Sequence, residues 1–214
     1  GFTAATPIDD SPIIFHIPGT ASYKPVNYDR RYHGKISIRL ALANSYNVPA
    51  VKVLNSLGVQ SYVDFAKNMG ISTWDDSSRF GLSLSLGGGE VTLLDMTRVF
   101  SVFANGGYRV KPNPISTIVD SRERKIQDFE SSKVKVLDEG VSYIISDILA
   151  DSQARIPAFG QNNPLHIPGY TVSAKTGTTN DYKDAWAIGY TPKIVVGVWV
   201  GNNDNTPMRN VSGI

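Results

Sequence analysis

Cysteine is absent from all 214 residues, which excludes a thiol nucleophile and any cysteine-ligated metal site and leaves the redox compartment open. No apolar run reaches the roughly eighteen residues that a membrane helix needs, and the N-terminus lacks a charged flank followed by an apolar segment. In a chain that reads as a piece of a longer one, that lack says nothing of the parent. There is no basic run and no RNA or DNA motif, and the net charge is only +2, so a nucleic-acid partner has no support. The histidines His16, His33 and His166 have neither helical i, i+4 partners nor clustered carboxylates. Each reads as a surface or hydrogen-bonded residue, and neither a metal nor a cofactor is expected. Asp9-Asp10 and Asp75-Asp76 are adjacent, and neighbours in an extended segment face opposite ways, which argues against paired acid–base work. Gly (19) and Pro (12) are too few for a low-complexity chain, while an apolar share of 41% suffices for the core of one domain.

What is present is concentrated in two places. The first is Lys175-Thr176-Gly177-Thr178-Thr179, set between the apolar stretch Tyr170-Thr171-Val172-Ser173-Ala174 and a second stretch carrying Trp186. A lysine, two hydroxyls and a glycine at a strand end can place a cation, hydrogen-bond donors and close-approaching backbone around one carboxylate or one developing oxyanion. Alone, the same residues read equally as a polar hairpin turn after a buried strand. A phosphate loop is excluded, because Gly-x-x-x-x-Gly should precede the lysine and here Gly177 follows it.

The second place is Ser45-Tyr46-Asn47. Residues 38–43 read as a short helix with Ser37 as its N-cap, breaking at Asn44-Ser45. A further helix should begin with Asn47 as N-cap and Pro49 in the first turn, present Val51, Leu54 and Leu57 on one face, and end at Gly58. Ser45 and Asn47 therefore sit at a junction between helices, where a hydroxyl and an amide can point into a cleft. The alternative is that Asn47 only caps its helix and Ser45 only satisfies backbone.

Penicillin-binding proteins and β-lactamases combine a Ser-x-x-Lys, a Ser-x-Asn and a Lys-Thr-Gly. The chain resembles the transpeptidase domain of class A penicillin-binding proteins, the bifunctional peptidoglycan synthases, along nearly its whole length. The resemblance is carried by Ile8-Asp9-Asp10-Ser11-Pro12, by Tyr23-Lys24-Pro25-Val26-Asn27-Tyr28-Asp29 through His33-Gly34, and by Leu40-Ala41-Leu42-Ala43-Asn44-Ser45-Tyr46-Asn47-Val48-Pro49-Ala50. It continues through Leu86-Gly87-Gly88-Gly89-Glu90-Val91-Thr92, Phe103-Ala104-Asn105-Gly106-Gly107, Asp184-Ala185-Trp186 and Val198-Trp199-Val200-Gly201. The resemblance implies that Lys175 is the basic group opposite the nucleophile and that Ser45 relays a proton to the leaving amine. It implies further that Asn47 holds the substrate backbone, that Thr176 and Thr178 bind the terminal carboxylate of a D-Ala-D-Ala stem peptide or a β-lactam across Gly177, and that the Thr178 N–H is an oxyanion donor. The parent would act on the extracytoplasmic face of the bacterial cell membrane, with glycosyltransferase and membrane anchor in sequence not present here.

The family nucleophile belongs to a Ser-x-x-Lys that precedes the Ser-x-Asn. Three residues after Ser11, Ser22 and Ser37 stand Ile14, Pro25 and Leu40, so the segment carrying the nucleophile is expected to be missing and the isolated chain inactive. Ser132-Lys133-Val134-Lys135 fits by spelling, yet it falls after the Ser-x-Asn in what reads as a polar link, where nothing buries the lysine. The stretch from Thr206 onward matches a family loop that runs on into a closing helix, so residues 1–214 are expected to be a single transpeptidase domain incomplete at both ends. Part of a serine D,D-transpeptidase is one reading, and a non-catalytic scaffold or interaction fragment of the same fold is the other. A class A β-lactamase fits less well, because Tyr46 stands where that family has Asp and no deacylating Glu is recognisable.

The coarse pattern is α+β, with helices packed on an antiparallel sheet. Helices are expected at 61–68 closed by Gly70, at 93–104 capped by Thr92, and from Asp138 onward with Val141, Ile144, Ile145 and Leu149 inward. Strands are expected at 108–110 and in a hairpin of 115–119 with 126–129. Others follow at 170–178, 185–190 and 194–202, the last so apolar that it should lie mid-sheet. Gly87-Gly88-Gly89 reads as a tight helix-entry turn, Trp186 and Trp199 as core residues, and 159–168 as a mobile rim of the cleft.

Overall fold

Ser37 ends one strand and begins a helix, and this hinge sets the first half of the molecule. In the computed structural model, which describes residues 1–16, 19, 21–209, 211 and 213, β1 (Pro7–Asp10) pairs antiparallel with β2 (Gly34–Ser37). The Ser37 hydroxyl then accepts a hydrogen bond from Leu40 N (3.2 Å) and caps α1 (Ile38–Ala43) as expected. This strand pair was not foreseen, since its register joins residues with no local turn signal between them. Asn210, Ser212 and Ile214, part of the loop expected beyond Thr206, lie outside the described residues.

Helix α2 (Asn47–Leu57) follows, and Gly58, at φ 83°, turns the chain directly into α3 (Val59–Met69). The start of α3 is two residues earlier than the sequence suggested. Asn47 is its helix's first residue rather than its cap, for a reason that belongs to the site described below. Leu54, Val63, Ala66, Ile71, Trp74 and Leu84 form one buried cluster beside these helices. Gly87 closes a short 3-10 turn (Leu82–Leu86) in the left-handed region, and a Cβ on Gly89 would come within 2.7 Å of Leu84 and 2.9 Å of the Trp74 indole nitrogen. The glycine run thus serves packing around Trp74.

Helix α4 (Leu93–Ala104) has the expected bounds, with Thr92 Oγ1 accepting from Asp95 N at 3.0 Å. Beyond it, β3 (Tyr108–Val110) pairs with β6 (Lys133–Lys135), and the exposed hairpin of β4 (Thr117–Val119) with β5 (Lys125–Asp128) lies between them in sequence. The stretch read as a polar link around Ser132 is therefore partly strand, though exposed throughout.

Helix α5 (Glu139–Ala150) is capped by Asp138, and α6 (Ser152–Phe159) by Asp151. The last three strands, β7 (Ser173–Thr178), β8 (Asp184–Thr191) and β9 (Ile194–Gly201), form an antiparallel sheet in the order β7-β8-β9. The middle strand is β8, not the apolar β9. One face of β9 meets α4, and on the other Ile194, Val196, Val198 and Val200 are exposed, so its apolar content does not reflect burial on both faces. Phe100, Leu149, Ile188 and Tyr190 make the core between α4, α5 and this sheet. Trp186 and Trp199 face each other across β8 and β9, both half-buried, and the Trp199 indole donates to Asp184 at 2.9 Å. The result is the expected α+β arrangement, with β7 at the sheet edge beside the α1–α2 junction.

Candidate active site

At the end of α1, Ser45 N bonds Leu42 O (3.2 Å) and Tyr46 N bonds Ala41 O (3.0 Å), the paired closure of a Schellman motif. The residue after the cap in this motif must be left-handed, a place usually held by glycine. Here it is Ser45, with φ 57°. A non-glycine residue there costs about 1 kcal/mol or more. The strain turns the Ser45 hydroxyl out of the helical ladder towards β7.

There it meets Lys175, whose Nζ donates to Ser45 Oγ at 2.6 Å and to Thr176 O at 2.7 Å. The pair joins residues 130 positions apart. Burial, and after it the positive charge of Arg155, bring the Lys175 ammonium from its ordinary 10.5 down to about 8. A lysine so placed exchanges its proton within reach of neutral pH, and a hydroxyl in contact with it is a ready relay.

The other expected residues divide. Thr176, Gly177 and Thr178 continue β7 from Lys175, and Thr178 Oγ1 accepts from Gly213 N at 3.1 Å. Asn47 Nδ2 donates instead to Val26 O at 2.9 Å. The structure thus brings Ser45 and Lys175 into contact, sets the two threonines beside them on one strand, and leaves the Asn47 amide turned to the segment before α1. The hydroxyl of Thr179 exchanges hydrogen bonds with Asp184, accepting from its N–H and donating to its carboxylate, which closes the turn after β7.

Three residues absent from the sequence-based candidates hold this turn from beneath. Asn27 Oδ1 accepts from both Asn47 N (2.8 Å) and Val48 N (3.1 Å), so the free N–H groups of α2 are capped from a distant loop. That is why Asn47 does not cap its own helix. Asn27 Nδ2 in turn donates to both Asp10 oxygens and to Arg31 O. Asp10, with 0% exposure, also accepts from His33 N (3.0 Å) and contacts His33 Nδ1 at 2.6 Å. The His33 ring stacks on Tyr46 with centroids 3.9 Å apart and planes at 14°. Asp10 and Asp9 do face opposite ways, for the exposed Asp9 carboxylate accepts from Ser11 and Lys52. The signal that could have found the network was available, because Asp10, Asn27 and His33 all lie in stretches that carried the resemblance. His16 and His166 pair with the hydroxyls of Ser22 and Ser152. Among the described residues no cluster of histidine and carboxylates could hold a metal, and no helix is long and apolar enough to cross a membrane.

The chain is similar to known proteins in both sequence and fold. A family described as the penicillin binding protein transpeptidase domain matches residues 4–212. Penicillin-binding protein 1A of Neisseria meningitidis is 34% identical over 221 residues, which cover 99% of this chain and 27% of that protein. Penicillin-binding protein 1A of Aquifex aeolicus is 34% identical over 202 residues, 94% of this chain and 27% of that one. The chain thus spans about a quarter of the length of the curated relatives it matches. In fold it is similar to the crystal structure of penicillin-binding protein 1A from Haemophilus influenzae, with a TM-score of 0.84 at 24% identity over 100% of this chain and 37% of that one. It is similar also to penicillin-binding protein A of M. tuberculosis in its imipenem acyl-enzyme complex, with a TM-score of 0.77 at 20% identity over 99% of this chain and 52% of that one. At those identities the structural likeness speaks for the fold alone.

Proposed function

The chain belongs to the penicillin-binding protein transpeptidase family, and on that premise we propose that it forms the relay and carboxylate-binding half of a serine D,D-transpeptidase site that cross-links peptidoglycan stem peptides. The observation that carries the proposal is the Lys175 Nζ to Ser45 Oγ contact of 2.6 Å, made by a lysine brought down to about 8.

The reaction proceeds through an acyl-enzyme. A serine supplied by sequence outside residues 1–214 gives its proton to the lysine of its own Ser-x-x-Lys, which returns it when that serine leaves in the second half, and attacks the carbonyl of the penultimate D-Ala, while the Thr178 N–H stabilises the oxyanion that forms. As the tetrahedral species collapses, the terminal D-Ala leaves as an amine and takes a proton from Ser45 Oγ, which Lys175 replaces. In the second half the acceptor amine returns that proton along the same path as it attacks the ester. Thr176 and Thr178 hold the leaving residue's carboxylate on either side of Gly177. Asn47 holds the substrate backbone once its amide exchanges Val26 O for the ligand. A β-lactam follows the first half and stops there, because its leaving group remains tethered. The longer protein carries this site on the extracytoplasmic face of the bacterial membrane.

The competing reading is a non-catalytic scaffold or interaction fragment of the same fold. Intact mass after incubation with a labelled penicillin decides between them, measured on the chain alone and mixed with the missing N-terminal segment of the same domain. An adduct on the added segment only is the expected result. No adduct in the mixture sinks the transpeptidase reading in favour of the scaffold, and an adduct on Ser45 or Ser132 overturns the assignment of roles.

A further inference from the structure

Arg155 is 2% exposed, and no carboxylate among the described residues makes a salt bridge to it. Its guanidinium donates to two backbone carbonyls, Leu149 O at the end of α5 and Ala174 O at 3.3 Å, the peptide oxygen immediately before Lys175. Burying a charge without an ion-paired opposite charge is unfavourable, and here burial pulls the arginine below its ordinary value with only the charge of Asp151 opposing. Asp151 itself is engaged as the cap of α6 and with Arg39. Such a residue asks for a reason.

The helix that carries it supplies one. Pro157 lies inside α6 and has no N–H, so the ladder is interrupted there. The carboxamide of Asn44, 4% exposed, spans the neighbouring i, i+4 pair, donating to Ala154 O at 2.7 Å and accepting from Ala158 N at 2.9 Å. Asn44 immediately precedes Ser45, and Ala174 immediately precedes Lys175. Helix α6 is therefore fastened at one point to the turn of the relay serine and at another to the strand of the relay lysine.

We propose that Arg155 is the positioning residue of the Ser45–Lys175 pair: through Ala174 and, by way of α6 and Asn44, through the Ser45 turn it fixes their separation, and it sets a buried positive charge, paired by a salt bridge with no carboxylate among the described residues, against Lys175. The proposal rests on the transpeptidase reading for its purpose, though not for its geometry. The groups facing Lys175 are the Ser45 hydroxyl from the α1–α2 turn, Thr176 O from β7 and the Arg155 guanidinium from α6, with Asp151 farther off at the head of α6. From α5 the nearest tie to β7 is neutral, Ser146 O accepting from Ser173 Oγ.

Competitive labelling of lysines in the whole protein with isotope-coded acetic anhydride, read at the Lys175 peptide from about pH 6 to about pH 11, reports its ionisation without requiring activity. In Arg155→Met the midpoint is expected to climb above the starting value of about 8, while burial still holds it below the ordinary lysine value. Arg155→Gln, which keeps donors for the two carbonyls and is the variant to use if methionine prevents folding, should do the same, and Arg155→Lys should stay near the original midpoint. A midpoint unmoved by Met and Gln overturns the proposal, as does one that rises equally in Lys. Penicillin acylation measured on the same samples separates the two readings: labelling that shifts as expected in a protein that penicillin never acylates would remove the transpeptidase function and leave the role of Arg155 standing.

Discussion

The two partners of the Ser45–Lys175 contact are held by opposite means. Beneath Ser45 the chain is fastened by hydrogen bonds that satisfy nearly every group in reach, with Asn27 serving Asp10, Arg31 and the first N–H groups of α2 together. Beside Lys175 the chain instead sets two positive charges against each other, Arg155 buried and Lys175 partly so, with no carboxylate among the described residues in a salt bridge to either. A satisfied buried network stabilises and fixes geometry, whereas uncompensated buried charge destabilises and prepares chemistry. Substitutions on the first side should therefore lose stability and lose function as a consequence. On the second side they should gain stability while losing function directly.

The sharpest break of that contrast lies at Asn27. Asn27→Ala removes the acceptor for Asn47 N and Val48 N and the Nδ2 group that donates to both oxygens of the fully buried Asp10 carboxylate and to Arg31 O. Loss of a helix cap together with a weakened buried carboxylate should cost on the order of 3–4 kcal/mol in urea unfolding. A loss under about 1 kcal/mol would mean that the Ser45 turn is held by something other than this network.

Next in size is Lys175→Met. Because Lys175 ionises at about 8 in the folded chain and at 10.5 ordinarily, the unfolded chain binds more protons between those values. Wild-type stability should therefore rise as pH is raised through that window, and below it the full penalty of holding the ammonium is present. Methionine has no such penalty. The variant should gain on the order of 1–3 kcal/mol at neutral pH, the upper figure being the whole shift before loss of the Ser45 contact is subtracted, and its slope between about pH 8 and 10.5 should flatten. Thermal unfolding at neutral pH and at about pH 10 checks both. A variant less stable than wild type at neutral pH would place Lys175 on the stabilising side of the comparison.

The contrast also explains what could be read from sequence. Local signals served well wherever the cause is local: Ser37 and Thr92 cap the helices they precede, and α4 ends where Asn105-Gly106-Gly107 follows it. The contact between Ser45 and Lys175 could be anticipated only through the resemblance, for nothing in either stretch points across 130 residues. The Asn27 cap was missed because an Asn at the start of a helix is read as capping that helix, and the displacement of Asn47 by a distant amide leaves no mark in a window of a few residues. Helix α6 was missed because Pro157 breaks its pattern and its repair comes from Asn44, 114 residues away from Ala158. Strand β9 was placed mid-sheet because apolar content was taken for two-sided burial, whereas one of its faces is exposed among the described residues.

Ser45 itself sits where the two sides meet, and it gives the smallest effect and the finest test. Its turn belongs to the hydrogen-bonded side, yet its left-handed backbone, φ 57°, is strained in a way that a glycine would not be. Ser45→Gly should release about 1 kcal/mol of that strain, against which stand the greater freedom of glycine in the unfolded chain and the lost Lys175 contact, so the melting temperature should stay close to that of wild type. Ser45→Ala keeps the strain and loses the Lys175 contact, and should melt below the glycine variant. Both lack the hydroxyl, so in the whole protein both should be acylated by penicillin far more slowly than wild type and to a similar degree. Equal melting of the two variants would show that the turn tolerates a side chain without strain. Unequal acylation would show that Ser45 contributes backbone geometry as well as its hydroxyl to the relay.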